Sequence, residues 1–161
     1  HEETITVAHN AAFDTAMLAR EGVVPNQCIC TYKIAYALDQ NDQLPNYRLQ
    51  YLRYLLDLDV EAEAHDAFGD VLVLEALFER LMQKMKERHG TEKSALEAML
   101  AISARPLLFT TLRFGKYNGK RLEEVVKIDR KYLGWLLSEK EKTPEIEMDW
   151  IYTLKHYLAG A

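Results

Sequence analysis

Two short motifs in the sequence each bring an aspartate to the start of an apolar, helix-periodic run. The first motif, HNAAFD, occupies residues 9–14, and the second, HDAFGD, occupies residues 65–70. Phosphodiester hydrolysis requires that the phosphate charge be neutralised, that hydroxide be produced at neutral pH and that the departing oxygen be stabilised. Two divalent cations about 4 Å apart achieve all three, and Mg²⁺ and Mn²⁺ prefer carboxylate ligands. The two motifs therefore look like parts of a nuclease's metal site.

The same motifs resemble the second and third motifs of the DEDD-type 3'-to-5' exonucleases, the DnaQ-like group. The spacing of His65 and Asp70 matches the histidine variant of that family, whose third motif reads His, four residues, Asp. The resemblance covers approximately residues 4–88 and implies a ribonuclease H-like α/β fold. It also implies a two-metal site for Mg²⁺ or Mn²⁺ with four carboxylates. Two of these carboxylates are assigned to Asp14 and Asp70, and the role of general base is assigned to His65.

His65, His9 and Asn10 are the other polar residues of these motifs to which we assign a position or a role. Five residues on a helix correspond to a rotation of about 140°, so His65 need not lie on the helix that carries Asp70. We therefore expect His65 in the preceding loop, where an imidazole with an ordinary pKa of about 6.5 can take a proton from the attacking water. His9 and Asn10 are candidate substrate contacts. Their structural alternatives are a buried, hydrogen-bonded ring for His9 and a helix cap for Asn10.

The family's first motif, an Asp-x-Glu strand, is missing from its expected place several tens of residues before the second motif. Only nine residues precede Asn10, and the chain does not begin with Met. Both facts suggest a fragment, which we expect to bind metal weakly and to hydrolyse nucleic acid poorly on its own. Residues 59–61 spell Asp-x-Glu, but they lie just before His65 and are therefore in the wrong order.

The composition is that of a globular protein, because 48% of the 161 residues are hydrophobic. No apolar run approaches the roughly 18 residues that a membrane span needs, and nothing resembles a secretion signal, so we expect a cytoplasmic protein without a membrane partner. The net charge of −5 argues against bulk electrostatic capture of nucleic acid. Residues 105–135 are nevertheless basic, with 8 Lys or Arg against 3 Asp or Glu.

Hydrophobic periodicity predicts an α/β unit in the first part of the chain. Strands are expected at residues 4–8 and 28–31, and helices at residues 11–21, 32–38, 47–56, 67–88 and 91–102. The proline within residues 103–106 breaks the last of these helices. We place a boundary there, between an exonuclease domain at residues 1–104 and a small α+β module at residues 105–161.

The module is expected to begin with a β-hairpin, because Asn118-Gly119 is a strong hairpin signal between residues 108–117 and 120–122. Helices are expected at residues 130–140 and 145–158. The segments FGKYNGK at 114–120 and YLGWLL at 132–137 look like the carboxy-terminal module of exonuclease X-like proteins. Four basic residues are candidate phosphate ligands: Arg113, Lys116, Lys120 and Arg121. Phe114 and Tyr117 either stack on bases or form the core of the module, two interpretations of equal weight.

These observations predict a metal-dependent 3'-to-5' exonuclease that acts on the 3' ends of single-stranded DNA or RNA. The motifs do not decide between DNA and RNA, because contacts to a 2'-hydroxyl cannot be derived from them. A rival from a different class is a non-catalytic nucleic-acid-binding or interaction module that keeps two motifs as relics. A second rival is an enzyme assembled from two chains, with the first motif supplied in trans. The sequence gives no indication of the oligomeric state.

Overall fold

The computed structural model of the protein describes residues 4–60 and 67–160. It divides into two units, His1–Arg105 and Pro106–Ala161. The elements of the first unit are β1 (Ile5–Ala8), α1 (Ala11–Arg20), β2 (Gln27–Cys30), α2 (Thr31–Leu38), α3 (Leu49–Leu55), α4 (Ala67–His89) and α5 (Glu92–Ser103). Those of the second unit are a 3₁₀ turn (Gly115–Tyr117), α6 (Leu122–Ile128), α7 (Arg130–Lys140) and α8 (Pro144–Ala159).

A parallel pair of strands organises the first unit. β1 and β2 pair from Ile5 opposite Gln27 to Ala8 opposite Cys30, and α1 forms the crossover between them. Parallel strands need such a crossover, so this is a β-α-β unit. The predicted α/β class is confirmed at this level, although the described residues are mostly helical and contribute only a two-stranded sheet. The ribonuclease H-like fold stays a prediction.

Helices α4 and α5 close the core of the first unit. The buried side chains of α4 recur every four residues at Val73, Leu77, Leu81 and Met85, so one stripe of the helix faces inward. α4 ends before Gly90, whose φ of +84° suits glycine. Thr91 then caps α5 by accepting a hydrogen bond from the Ser94 backbone N–H at 3.1 Å. This long helix positions Asp70 at one end of the core.

The predicted β-hairpin of the second unit is confirmed only next to its turn. The two segments pair through one antiparallel bridge, between Thr111 and Arg121, and the Leu112 N–H and the Lys120 carbonyl are 2.9 Å apart, but neither segment forms a continuous strand. Gly115 has a φ of +66° and starts the 3₁₀ turn, which ends any strand there, and a Cβ at this position would come within 2.5 Å of the Tyr132 hydroxyl. Asn118 at φ −53°, ψ 129° and Gly119 at φ +84° form a type II turn, whereas the expected hairpin turn needs positive φ at both positions.

Side chains of α8 hold the start of the segment that was predicted as the first hairpin strand. The buried Thr153 hydroxyl accepts a hydrogen bond from the Phe109 backbone N–H and donates one to the Leu107 carbonyl, both at 3.0 Å. The Asp149 carboxylate accepts from the Leu107 N–H at 2.9 Å, and Trp150 stacks on Phe109 at 4.4 Å. Helix α6, which was not predicted, packs its buried Leu122, Val125 and Val126 into this unit's core.

None of the helices in the described ranges is both long and apolar enough to cross a membrane.

Candidate active site

Asp14 and Asp70 occupy equivalent places in their two helices. Each is the fourth residue of its helix, α1 or α4, where the partial positive charge of the helix amino terminus favours a carboxylate. Both side chains line one pocket of about 360 Å³, together with Thr6, Val7 and Ala8 of β1. Asp14 is exposed and Asp70 is partly buried. The structure therefore brings together two carboxylates that lie 56 residues apart in the sequence.

The predicted general base cannot be placed in the same way. His65 lies among residues 61–66, outside the described residues, so its role stays a prediction. The described chain stops at Val60 and resumes at Ala67, the first residue of α4.

Asn10 stands at the N-cap position of α1, as predicted, but its side chain makes no capping hydrogen bond. Its backbone adopts the left-handed conformation, with φ 61° and ψ 52°, which asparagine tolerates better than most residues. The Asn10 carbonyl accepts a hydrogen bond from the Phe13 N–H at 3.2 Å. The prediction that the Asn10 side chain caps α1 is thus wrong. The exposed Asn10 amide stays a candidate substrate contact.

His9 lines the same pocket but directs both ring nitrogens into the protein. Nε2 lies 2.7 Å from the Tyr47 carbonyl and Nδ1 lies 2.9 Å from the Thr31 hydroxyl. Burial lowers the pKa of His9 below its ordinary value, despite opposing effects of the Tyr47 carbonyl and Asp14. The neutral ring then donates from Nε2 to Tyr47 and accepts at Nδ1 from Thr31. These contacts support the structural alternative for His9, and a contact with substrate stays a prediction.

Gln50 is a residue of the site that no sequence pattern indicated. Its Nε2 donates a hydrogen bond to Asp70 Oδ1 at 2.7 Å. Arg53, one turn later on α3, contacts the Gln50 Oε1 at 3.5 Å and also donates to the Val60 carbonyl. Hydrogen bonds of this kind orient carboxylates that coordinate metals. Helix α3 therefore fixes one carboxylate oxygen of Asp70.

The donor chemistry of the pocket fits Mg²⁺ or Mn²⁺, because both ions prefer carboxylate oxygen. The number of donors is smaller than the four that the family resemblance implies. Within the part of the chain that the structure describes, no group of three or more His, Cys, Asp or Glu side chains could hold a metal ion. Asp14 and Asp70 thus provide part of a site.

Comparisons with known proteins agree with the motifs. Exodeoxyribonuclease 10 of Escherichia coli strain K12 is 35% identical over 154 residues, which cover 94% of this chain and 64% of that protein. The protein of the same name from Escherichia coli O6:H1 strain CFT073 gives the same values. The family described as exodeoxyribonuclease X-like C-terminal matches residues 112–141. The chain is similar to exodeoxyribonuclease 10 over nearly its whole length. No solved structure matches it significantly.

The four predicted phosphate ligands of the second unit differ in the residues that they contact. Lys116 pairs with Asp129 at 2.9 Å, and Arg121 pairs with Glu123 at 3.0 Å. Hydrogen bonding to Tyr117 and Asp129 raises the pKa of Lys116, and the Lys116 and Tyr117 contacts lower the pKa of Asp129 to about 2. Lys120 is exposed, and Arg113 is partly buried. Exposed ion pairs contribute little free energy, so phosphate can compete for these cations, and phosphate binding stays a prediction.

The aromatic residues of the predicted hairpin are packed within the second unit. Phe114 meets the edge of Trp150 at 4.9 Å, and the Lys140 ammonium lies 5.2 Å from the Phe114 ring centre. Tyr117 contacts Tyr132 at 5.2 Å, and its hydroxyl donates to Asp129 at 2.8 Å. These contacts support the core interpretation rather than base stacking for both rings.

Proposed function

We propose that the chain is the catalytic part of a metal-dependent 3'-to-5' exonuclease of the cytoplasm. The observation that carries the proposal is the shared pocket of Asp14 and Asp70. The substrate is the 3' end of a single strand, and the printed name of the Escherichia coli relatives favours DNA over RNA. The chain covers only 64% of those relatives, so the activity of the whole protein is part of this proposal.

Each residue of the site has one task in this mechanism. Divalent ions, when bound, supply a positive charge for the phosphate and lower the pKa of the attacking water. Asp14 and Asp70 would hold these ions, and Gln50 keeps Asp70 in its rotamer by donating a hydrogen bond to Oδ1. His65 accepts the proton of the attacking water, as the family resemblance implies. His9 keeps the end of β1 against α2 and the segment before α3 through its two hydrogen bonds.

The rival function is binding without catalysis. It is favoured by one observation, the absence of a three-ligand metal cluster among the described residues. A chain with two of four carboxylates should bind Mn²⁺ weakly and should hydrolyse DNA poorly or not at all. Activity that arises only after a polypeptide with the Asp-x-Glu strand is added would support assembly from two chains.

The test is hydrolysis of a 3'-labelled and a 5'-labelled single strand with Mg²⁺ or Mn²⁺, with and without that added polypeptide. We expect loss of nucleotides from the 3' end in the complemented sample and its abolition by Asp14→Asn or Asp70→Asn. Glu79→Gln is the matched control, because Glu79 is exposed on α4 and does not line the pocket. Binding of DNA with no turnover under any of these conditions would refute catalysis. Robust, chelator-sensitive turnover by the chain alone would refute the expected need for the missing carboxylates.

A further inference from the structure

Three aromatic rings form a row on the surface of the second unit. Tyr117 meets Tyr132 edge to face at a centroid distance of 5.2 Å, and Tyr132 lies against Trp135 at 5.6 Å with an interplanar angle of 38°. Tyr117 and Tyr132 are partly buried, and the Tyr117 hydroxyl is bonded to Asp129. The outermost ring, Trp135, is 56% exposed. The row therefore presents a supported indole to solvent.

A cation lies beside this indole. Lys131 precedes Trp135 by four residues on α7, so the two side chains share one face of the helix. Lys131 is exposed and has no ion-pair partner among the described residues, unlike Lys116 and Arg121. The surrounding segment, residues 105–135, has 8 Lys or Arg against 3 Asp or Glu in a chain whose net charge is −5. Trp135 is thus the last residue of a basic segment in an acidic protein.

We propose that Trp135 and Lys131 form a binding site for single-stranded nucleic acid, in which the indole stacks on a nucleobase and the ammonium contacts a phosphate. Stacking needs an aromatic face that is open on one side and supported on the other, and Tyr132 supplies the support. The unpaired ammonium complements the phosphodiester charge. A single strand is favoured because the bases of a duplex are already stacked on each other.

The site is distinct from the phosphate ligands expected on the turn between Arg113 and Arg121. It depends on the proposed function only in taking nucleic acid as the ligand, and it does not require the carboxylate pocket. Binding can be measured in EDTA, where no metal-dependent hydrolysis occurs. Failure of catalysis and failure of this site are therefore separate results.

The chain contains two tryptophans, which makes the test specific. Trp150 is packed between Phe109 and Phe114, whereas Trp135 is open to solvent. We expect oligothymidylate added in EDTA to quench the fluorescence of Trp135, and the quench to persist in Trp150→Phe. Trp135→Leu should remove the quench and weaken binding about 5- to 150-fold, the range for loss of one stacked base. Lys131→Gln should reduce the logarithmic salt slope by about 0.7, the value for one phosphate contact on a single strand.

Tyr152→Leu is the matched control, because Tyr152 is an exposed aromatic residue on α8, 47% exposed. The Tyr152→Leu variant should have the same affinity for oligothymidylate and the same fluorescence quench as the unchanged chain. The proposal is overturned if Trp135→Leu binds oligothymidylate as tightly as Tyr152→Leu does, or if the unchanged chain does not bind. Loss of self-association in Trp135→Leu, with oligonucleotide binding unchanged, would assign the ring to a protein contact and would equally overturn it.

Discussion

Replacement of Gln50 by Met tests whether α3 orients the proposed metal ligand Asp70. Methionine has nearly the volume of glutamine but cannot donate the 2.7 Å hydrogen bond to Asp70 Oδ1. Loss of a hydrogen-bonding partner behind a metal ligand reduces metal affinity about 10- to 100-fold. The Gln50 bond is single and only part-buried, so we expect the lower end of that range, about 10-fold, or ~1.4 kcal/mol.

The assay is the loss of the free Mn²⁺ signal in electron paramagnetic resonance as the protein is titrated. Gln83→Met is the matched control, since Gln83 is exposed on α4 and no contact ties it to Asp70. Thermal unfolding without metal shows whether either change damages the fold. The reasoning is refuted if Gln50→Met and Gln83→Met bind Mn²⁺ equally well.

Three other predictions concern stability and binding. Because His9 has a lowered pKa in the folded state, the unfolded state binds more protons below a pH of about 6.5. The melting temperature should therefore fall as the pH drops through that range. His9→Gln should weaken this pH dependence, whereas His156→Gln, at an exposed position, should not. Thr153→Val should lower the free energy of unfolding by at least about 2 kcal/mol in chemical denaturation, because two buried backbone groups lose their hydrogen-bonding partner. Thr143→Val should lower it little, because Thr143 makes no side-chain capping hydrogen bond at the start of α8. The third change replaces four basic residues by Gln: Arg113, Lys116, Lys120 and Arg121. If three of them contact phosphate, the logarithmic salt slope for single-stranded DNA binding should fall by roughly two units. An unchanged slope would indicate that these residues serve packing and do not bind phosphate.

Local sequence patterns were sufficient for the elements that hold the two carboxylates. The motif around Asp14 follows an alternating β-branched segment, and the structure has β1 there, followed directly by α1. The apolar repeat after Asp70 produces α4, whose buried stripe runs from Val73 to Met85. In both cases neighbouring residues determine the element, so the fourth-residue position of each aspartate follows from local sequence.

The failures have non-local causes. The Asn118-Gly119 signal predicted two full strands, but only Thr110 to Leu112 pair across the turn. Leu107 and Phe109 bond instead to Asp149 and Thr153, more than 40 residues later in the chain. Gln50 was missed because a glutamine on a short, partly exposed helix has no distinguishing pattern. Only the approach of α3 to the start of α4 brings it to Asp70.

The paramagnetic effect of Mn²⁺ on backbone amide signals tests the central claim most directly, because it locates the metal whether or not the chain is active. We predict that Mn²⁺ added to the ¹⁵N-labelled chain first broadens amides that line the pocket, among them Thr6, Val7 and Val71. Asp14→Asn combined with Asp70→Asn should abolish this broadening, and Glu79→Gln should leave it unchanged. Broadening centred on another acidic surface, or broadening of the pocket that persists in the double variant, would contradict the assignment of Asp14 and Asp70 as metal ligands.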